Sequence, residues 1–123
     1  MTMDSGLVAV VEDSAFLLEA WGFVLGHGYR LFPTPSAVMA ALAAEPALLG
    51  CLTCVVTDMV FDDDVHDGAW LAARLRQLRP DLPVLLSSEV PAPAGSAACF
   101  TAQIGKDPLD RSALAALTAS SGR

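Results

Sequence analysis

The feature that most constrains this chain is a repeated alternation of short apolar runs with segments of helical spacing. Most runs are rich in Val, Leu, Ile or Phe, and each is followed by polar or turn-forming residues. Uninterrupted runs with β-branched residues are typical of strands buried on both faces of a parallel sheet. Strands and helices in alternation indicate an α/β fold with an open, doubly wound parallel sheet. The predicted strands are Leu7–Val11, Tyr29–Phe32 and residues 54–57, 84–86 and 100–104.

Helical segments follow four of the five predicted strands. Thr34 followed by Pro35 indicates an N-cap and a first helical position. Between the fourth and fifth strands, Pro91 and Pro93 make a regular helix doubtful, because proline lacks the N–H that a helix needs. We therefore expect this helix to be shortened or irregular. The predicted helices span residues 14–25, 34–45, 69–78 and 107–117.

Length and charge limit the functions open to the chain. Its 123 residues fit one domain, 1–123 with a core at about 6–119, and 54% hydrophobic residues can form that core. A formal net charge of −7 argues against nucleic acid and anionic membranes as partners. We find neither a membrane-spanning stretch nor a secretory signal. We therefore expect a soluble cytoplasmic protein that binds protein partners or a metal cation.

The three cysteines do not suggest a disulfide framework, because their number is odd. Cys51 and Cys54 have the spacing of a redox or zinc half-site, which remains an alternative. However, the pair leads into a predicted strand rather than a helix, and no second pair of ligands follows. We therefore expect Cys51, Cys54 and Cys99 to pack as small hydrophobic residues.

Polar side chains with complementary chemistry follow the predicted strands. In an open parallel sheet, ligands bind outside the carboxyl ends of the strands. Clustered carboxylates raise one another's pKa unless a cation compensates, and Mg²⁺ with oxygen ligands is a natural partner. A carboxylate can also act as a nucleophile toward phosphorus, with a lysine neutralising charge on the phosphoryl oxygens. The residues at the strand ends are Glu12, Asp13, Asp58, Ser87, Ser88 and Lys106.

These motifs resemble the receiver-domain family of two-component response regulators, over nearly the whole chain. The matching segments occur in the family's order, each at its expected strand end. They are residues 10–14, 55–59, 67–68 and 83–87, and Lys106 with Pro108. The resemblance implies the CheY-like, flavodoxin-like strand order 2-1-3-4-5.

By this resemblance, Asp58 is the phosphoacceptor. Glu12, Asp13 and Asp58 would hold Mg²⁺, with the backbone carbonyl of Val60 as a further ligand. Ser87 would be the hydroxyl that closes on the phosphoryl group, although its neighbour Ser88 is an alternative, and Lys106 would be the cationic partner.

The resemblance also implies partners. A sensor histidine kinase or a histidine phosphotransfer protein would donate the phosphoryl group, and a downstream protein, or a second copy in a homodimer, would receive the signal. The chain would phosphorylate and dephosphorylate itself without being a dedicated enzyme.

The chain departs from the family pattern at several positions. Asp107 separates Lys106 from Pro108 and could either pair with the lysine or cap the last helix. Gln103 replaces the usual aromatic residue three positions before Lys106. These departures favour an alternative, a pseudo-receiver that binds proteins without phosphorylation. A dehalogenase-like phosphatase is a weaker alternative, because Val60 stands where that family has its acid/base Asp.

Two further sets of residues carry expectations. The run Asp62, Asp63 and Asp64 could form a second metal site with His66 and Asp67. The segment lacks the alternating ligands and central Gly of a calcium loop, so we expect a solvated loop. Val60 and Glu89 are expected to flank the path of a water that attacks the phosphorylated site.

Overall fold

The structure, a computed structural model, describes residues 6–25 and 28–106. Its strands are β1 (Leu7–Val11), β2 (Tyr29–Phe32), β3 (Leu52–Thr57), β4 (Val84–Ser87) and β5 (Ala102–Ile104). These five strands pair in parallel in the order β2-β1-β3-β4-β5. The predicted α/β class, the parallel sheet and the strand order are therefore confirmed.

Helices connect the strands, and one of them was not predicted. This helix, α3 (Leu48–Cys51), is short and closely follows α2 (Pro35–Ala44), and the Leu48 N–H bonds to the carbonyl of Glu45 between them. The final predicted helix lies outside the described residues. Within the described part of the chain, no helix combines the length and apolar character needed to cross a membrane. The helices are α1 (Ala15–Leu25), α2 (Pro35–Ala44), α3 (Leu48–Cys51) and α4 (Gly68–Leu78), with a 3₁₀ turn at Ala97–Cys99.

The boundaries of three strands differ from those predicted, and β4 differs only in extending one residue further, to Ser87. β3 begins at Leu52 rather than at residue 54, because the chain passes from α3 into the strand without a loop. β5 begins at Ala102 rather than at residue 100, because the amide of Phe100 bonds to Ala97 and closes the 3₁₀ turn. The predicted cap of α2 is confirmed, since the Thr34 hydroxyl accepts the N–H of Ala37 at 3.1 Å.

Alternating residues of the strands form two cores, one on each face of the sheet. On the α1 face, Val8 and Val10 pack with Trp21, which is 1% exposed. On the opposite face, Ala9 and Val11 belong to a larger core that includes side chains of α2 and α4. Burial on both faces is what the uninterrupted apolar runs predict.

Two large apolar side chains of the helices are exposed, although both belong to sets of apolar residues at helical spacing. Phe16 is 77% exposed, because it lies five residues, or about 140° around the helix, from the buried Trp21. Leu78 is 51% exposed, since it lines an open groove that Met39 and Leu42 of α2 also line. Apolar spacing alone did not identify which side of each helix faces the sheet.

The segment between β4 and β5 (residues 88–101, the β4–β5 segment) has little regular structure. Its helical content is the 3₁₀ turn alone, as the prolines predicted. The carbonyl of Pro93 accepts the amides of Ser96 and Ala97 and so stabilises a turn before it. A shortened and irregular connection at this position is therefore confirmed.

Gly68 allows the turn before α4 to pass close to the end of β3. Its amide donates to the carbonyl of Met59 at 2.7 Å. A Cβ atom built on Gly68 would overlap the backbone carbonyl oxygen of Asp58. The glycine therefore determines how closely α4 approaches the residues that follow β3.

We predict that Gly68→Ala lowers the free energy of unfolding by about 1–3 kcal/mol, because the added methyl group overlaps fixed backbone. Gly50→Ala is the matched control, since a Cβ at Gly50 meets no atom within 4 Å. Urea unfolding of both variants measures the difference. Equal stability of the two variants would contradict this account of Gly68.

Candidate phosphoacceptor and metal site

The strand register brings the predicted polar residues to one edge of the sheet. Val11 pairs with Thr57, so the residues that follow β1 and β3 are adjacent. Thr57 pairs with Leu86, one residue before Ser87. Ser87 in turn pairs with Ile104, two residues before Lys106. Four separate strand ends thus contribute side chains to one site.

Lys106 joins two carboxylates at the centre of this site. Its Nζ lies 2.8 Å from Asp58 Oδ2 and 3.0 Å from Glu12 Oε1. Burial lowers the pKa of Lys106, but the hydrogen bonds and charges of Asp58 and Glu12 raise it more, so the net pKa lies above its ordinary value. Asp107, which was expected to compete for this lysine or to cap the last helix, lies outside the described residues.

Glu12 is the most deeply buried carboxylate of the site. The residue is 2% exposed, and its Oε2 also accepts the amide of Ser14 at 3.2 Å. Burial raises the pKa of Glu12, and the neighbouring charge of Asp58 adds to this, while Lys106 opposes it. The site therefore holds a carboxylate that needs positive charge beside it to stay ionised.

Hydrogen bonds hold Asp58 in place, while its carboxylate stays accessible from outside. Its amide donates to the carbonyl of Val11 at 3.0 Å, and its Oδ1 accepts the amide of Met59 at 2.7 Å. The side chain is 18% exposed and lines an open cavity of about 310 Å³ with Met59, Leu86 and Pro91. A small molecule or a partner's side chain can therefore reach the carboxylate.

Asp13 completes a set of three carboxylates that fits a divalent cation. One carboxylate oxygen each from Glu12, Asp13 and Asp58 lies within 4.8 Å of the others. Oxygen ligands of this kind suit Mg²⁺. Asp13 is exposed, and its Oδ2 accepts the amide of Asp62 at 3.3 Å, which ties it to the next loop. The role predicted for the carbonyl of Val60 stays a prediction.

The two candidate serines differ in what their hydroxyl groups do. Ser87 is 2% exposed, and its Oγ donates to the carbonyl of Gly105 at 3.4 Å, the long limit of a hydrogen bond. Ser88 instead donates to the carbonyl of Val90 and accepts its amide. The hydroxyl of Ser88 is therefore engaged within its own loop, which favours Ser87 for the role at the site.

The acidic loop between β3 and α4 makes side-chain hydrogen bonds to α2, which a fully solvated loop would not make. Asp62 and Asp63 are exposed, as expected. Asp64, however, accepts the amide and the hydroxyl of Ser36 at 2.7 and 2.9 Å, at the first turn of α2. Since α2 has no acidic residue in its own first turn, Asp64 supplies the negative charge that a helix N-terminus favours.

Glu89 has a contact that the sequence did not indicate. Its Oε2 accepts the backbone amide of Lys106 at 2.6 Å. The sequence placed Glu89 beside a path for water, but a bond across 17 residues has no local signal in the sequence.

The cysteine pair does not have the surroundings of a redox site. Burial raises the pKa of Cys54 to about 12, which keeps its thiol protonated. Cys51 is exposed, contrary to the expectation that it packs as a hydrophobic residue, and Cys99 is partly buried.

No family model and no curated protein matches the chain. Solved structures do, over most of its length. A response regulator receiver domain protein from Clostridium thermocellum is 14% identical, with a TM-score of 0.74 over 94% of this chain and 93% of the other. A CheY-like receiver domain protein from Methanospirillum hungatei is 18% identical, with a TM-score of 0.76 over 94% and 93%.

The receiver domain of NtrX from Brucella abortus is similar to the same degree. It is 18% identical, with a TM-score of 0.72 over 91% of this chain and 94% of the other. Identities this low establish the fold alone. The predicted resemblance is confirmed at that level: the chain has the fold of response-regulator receiver domains.

Proposed function

We propose that the chain is a receiver domain of a two-component system, which accepts a phosphoryl group on Asp58 from a phosphohistidine donor. One observation supports this most directly. Asp58 lies at the carboxyl edge of the sheet, bonded to Lys106 at 2.8 Å and grouped with Glu12 and Asp13. A nucleophile, a cation and two further metal ligands are the parts that phosphoryl transfer to a carboxylate requires.

In the proposed reaction, a carboxylate oxygen of Asp58 forms a bond to phosphorus. The P–N bond of the phosphohistidine breaks, and its electron pair returns to the imidazole nitrogen. Lys106, already within hydrogen-bonding distance of Asp58, neutralises charge on a phosphoryl oxygen. The hydroxyl of Ser87 gives up its long hydrogen bond to the Gly105 carbonyl and donates to a phosphoryl oxygen instead.

Glu12, Asp13 and Asp58 would hold Mg²⁺, which when bound supplies positive charge beside the phosphoryl oxygens. Glu12 and Asp13 also set the charge of the site before any donor arrives. Together with Asp58 they place three carboxylates beside one ammonium group. An excess of negative charge favours binding of a cation over binding of a free phosphate.

The proposed output is contact with other proteins. A sensor histidine kinase or a histidine phosphotransfer protein is the proposed donor, and a downstream protein or a second copy of the chain is the proposed receiver of the signal. The net charge of −7 supports protein partners over nucleic acid. We place this activity in the cytoplasm and restrict the chemistry to the chain's own phosphorylation and dephosphorylation.

A pseudo-receiver is the second candidate, and Gln103 favours it. The Nε2 of Gln103 donates to the carbonyls of Ser88 and Val90 at 3.1 and 2.6 Å. These bonds order the loop after Ser87 in the unphosphorylated chain, which favours a module that binds partners without phosphorylation.

We predict a single phosphoryl adduct when the chain is incubated with acetyl phosphate and Mg²⁺. The adduct should be absent in Asp58→Asn, which lacks the nucleophile, and absent or slow without Mg²⁺. Intact-mass spectrometry measures it. Asp63→Asn is the matched control, because it removes an exposed aspartate of the next loop without touching the site.

The two candidate functions give different results in this experiment. An adduct that forms equally in Asp58→Asn would contradict the assignment of the phosphoacceptor. No adduct in folded protein, with acetyl phosphate or with phosphoramidate, would favour the pseudo-receiver.

We also predict that Mg²⁺ stabilises the folded chain through Asp13. At a concentration about 100 times its Kd, a ligand of the folded state adds about 2.7 kcal/mol to the free energy of unfolding. Asp13→Asn should lose most of this gain, whereas Asp63→Asn should keep it. Thermal unfolding with and without Mg²⁺ measures the effect, and an equal gain in both variants would place the cation elsewhere.

A further inference from the structure

Two side chains connect the loop after Ser87 with the end of β5, one from β5 and one from the loop itself. Gln103 of β5 donates to the carbonyls of Ser88 and Val90. These two carbonyls flank Glu89 in the chain. Gln103 therefore fixes the backbone at two positions, one before and one after Glu89.

Glu89 continues this connection back to the residues after β5. Its Oε2 accepts the amide of Lys106 at 2.6 Å, a short bond to a charged acceptor. The same carboxylate lies against Gly105, where a Cβ atom would approach Oε2 to 3.2 Å. The side chain of Glu89 thus binds the backbone of the residue whose Nζ lies between Glu12 and Asp58.

Lys106 is consequently held at two points. Its backbone N–H bonds to Glu89, and its Nζ bonds to the two buried or partly buried carboxylates of the site. β5 ends at Ile104, so beyond this residue the sheet no longer fixes the backbone. Among the described residues, the bond from the Lys106 amide to Glu89, together with the longer bond from Ser87 to the Gly105 carbonyl, continues the alignment of β5 to the lysine.

We propose that Glu89 is a positioning residue for Lys106, and that it acts through the lysine's backbone amide rather than on substrate or water. This inference rests on the proposed phosphorylation of Asp58. The loop that carries this anchor of the lysine begins directly after Ser87, the last residue of β4. Movement of that loop therefore changes the position of the backbone of Lys106.

The test is the rate of phosphorylation by acetyl phosphate in a double-mutant cycle. Glu89→Ala should lower the rate about tenfold, because small displacements of a reacting group cost one to two orders of magnitude. Glu89→Gln should stay within about threefold of the native rate, since its carbonyl oxygen still accepts the amide. In a Lys106→Met background, Glu89→Ala should change the rate less than about twofold, because the group it positions is gone.

Glu19→Ala is the control for loss of one negative charge, since Glu19 is exposed on α1. If Glu89→Gln is as slow as Glu89→Ala, or if Glu89→Ala keeps its effect in the Lys106→Met background, Glu89 acts by its charge or on water, and the proposal is overturned.

A second measurement does not depend on phosphorylation. In isotope-labelled protein, the Lys106 amide should exchange slowly in the native chain and in Glu89→Gln, and rapidly in Glu89→Ala. The Nζ–H signal of Lys106, visible by NMR when the ammonium group is immobilised, should follow the same order. Unchanged signals in Glu89→Ala would overturn the proposal even if the chain forms no adduct, whereas a missing adduct with the expected signals would count against the proposed function alone.

Discussion

The bridge from Lys106 to Glu12 and Asp58 is the interaction on which the site depends. Glu12 is almost fully buried, and an ionised carboxylate in that position is stable only beside a positive charge. Lys106 supplies one such charge for two carboxylates at 2.8 and 3.0 Å, and Asp13 adds a third carboxylate. The cluster therefore contains three carboxylates and one ammonium group, which leaves an excess of negative charge. The electrostatics of such a cluster favour a divalent cation over an anion, independently of the detailed ligand geometry.

The sheet makes this concentration of charge possible. Each polar group lies at the end of an apolar strand or within two residues after it. Parallel pairing fixes the neighbours of these strands and so brings the groups to one edge, where they bond to one another. Two buried cores hold the strands, and the energy of their burial offsets the cost of crowding carboxylates together. Gly68 adds to this precision, because only a residue without a side chain allows α4 to lie against the backbone of Asp58.

The sequence predicted the parts of this structure that have a local signal. Apolar runs predicted the strands, and the polar residues after them predicted the members of the site, because strand ends are visible in the order of residues. The strand order came from the resemblance to receiver domains. Contacts between distant segments were not predicted: Asp64 bonds across 28 residues to Ser36, and Glu89 across 17 to Lys106. Helical spacing also failed to show that Phe16 faces solvent, because both sides of α1 carry apolar residues.

The β4–β5 segment differs most from a regular strand–helix unit, and its stability has a different physical basis. A helix at this position would hold itself by backbone hydrogen bonds and would pack as a unit. Here the start of the segment is held by one backbone bond, from the Ser88 amide to the Ile104 carbonyl, and by side chains, namely Gln103 on Ser88 and Val90, and Glu89 on Lys106. Hydrogen bonds contribute about 0.5–1.5 kcal/mol each, or somewhat more with a charged partner. The three side-chain bonds together amount to a few kcal/mol. A free-energy difference of this size between two conformations leaves the less stable one measurably populated. The loop beside Asp58, the proposed phosphoacceptor, is therefore held by an energy small enough that new bonds to Ser87 and Lys106 would shift it.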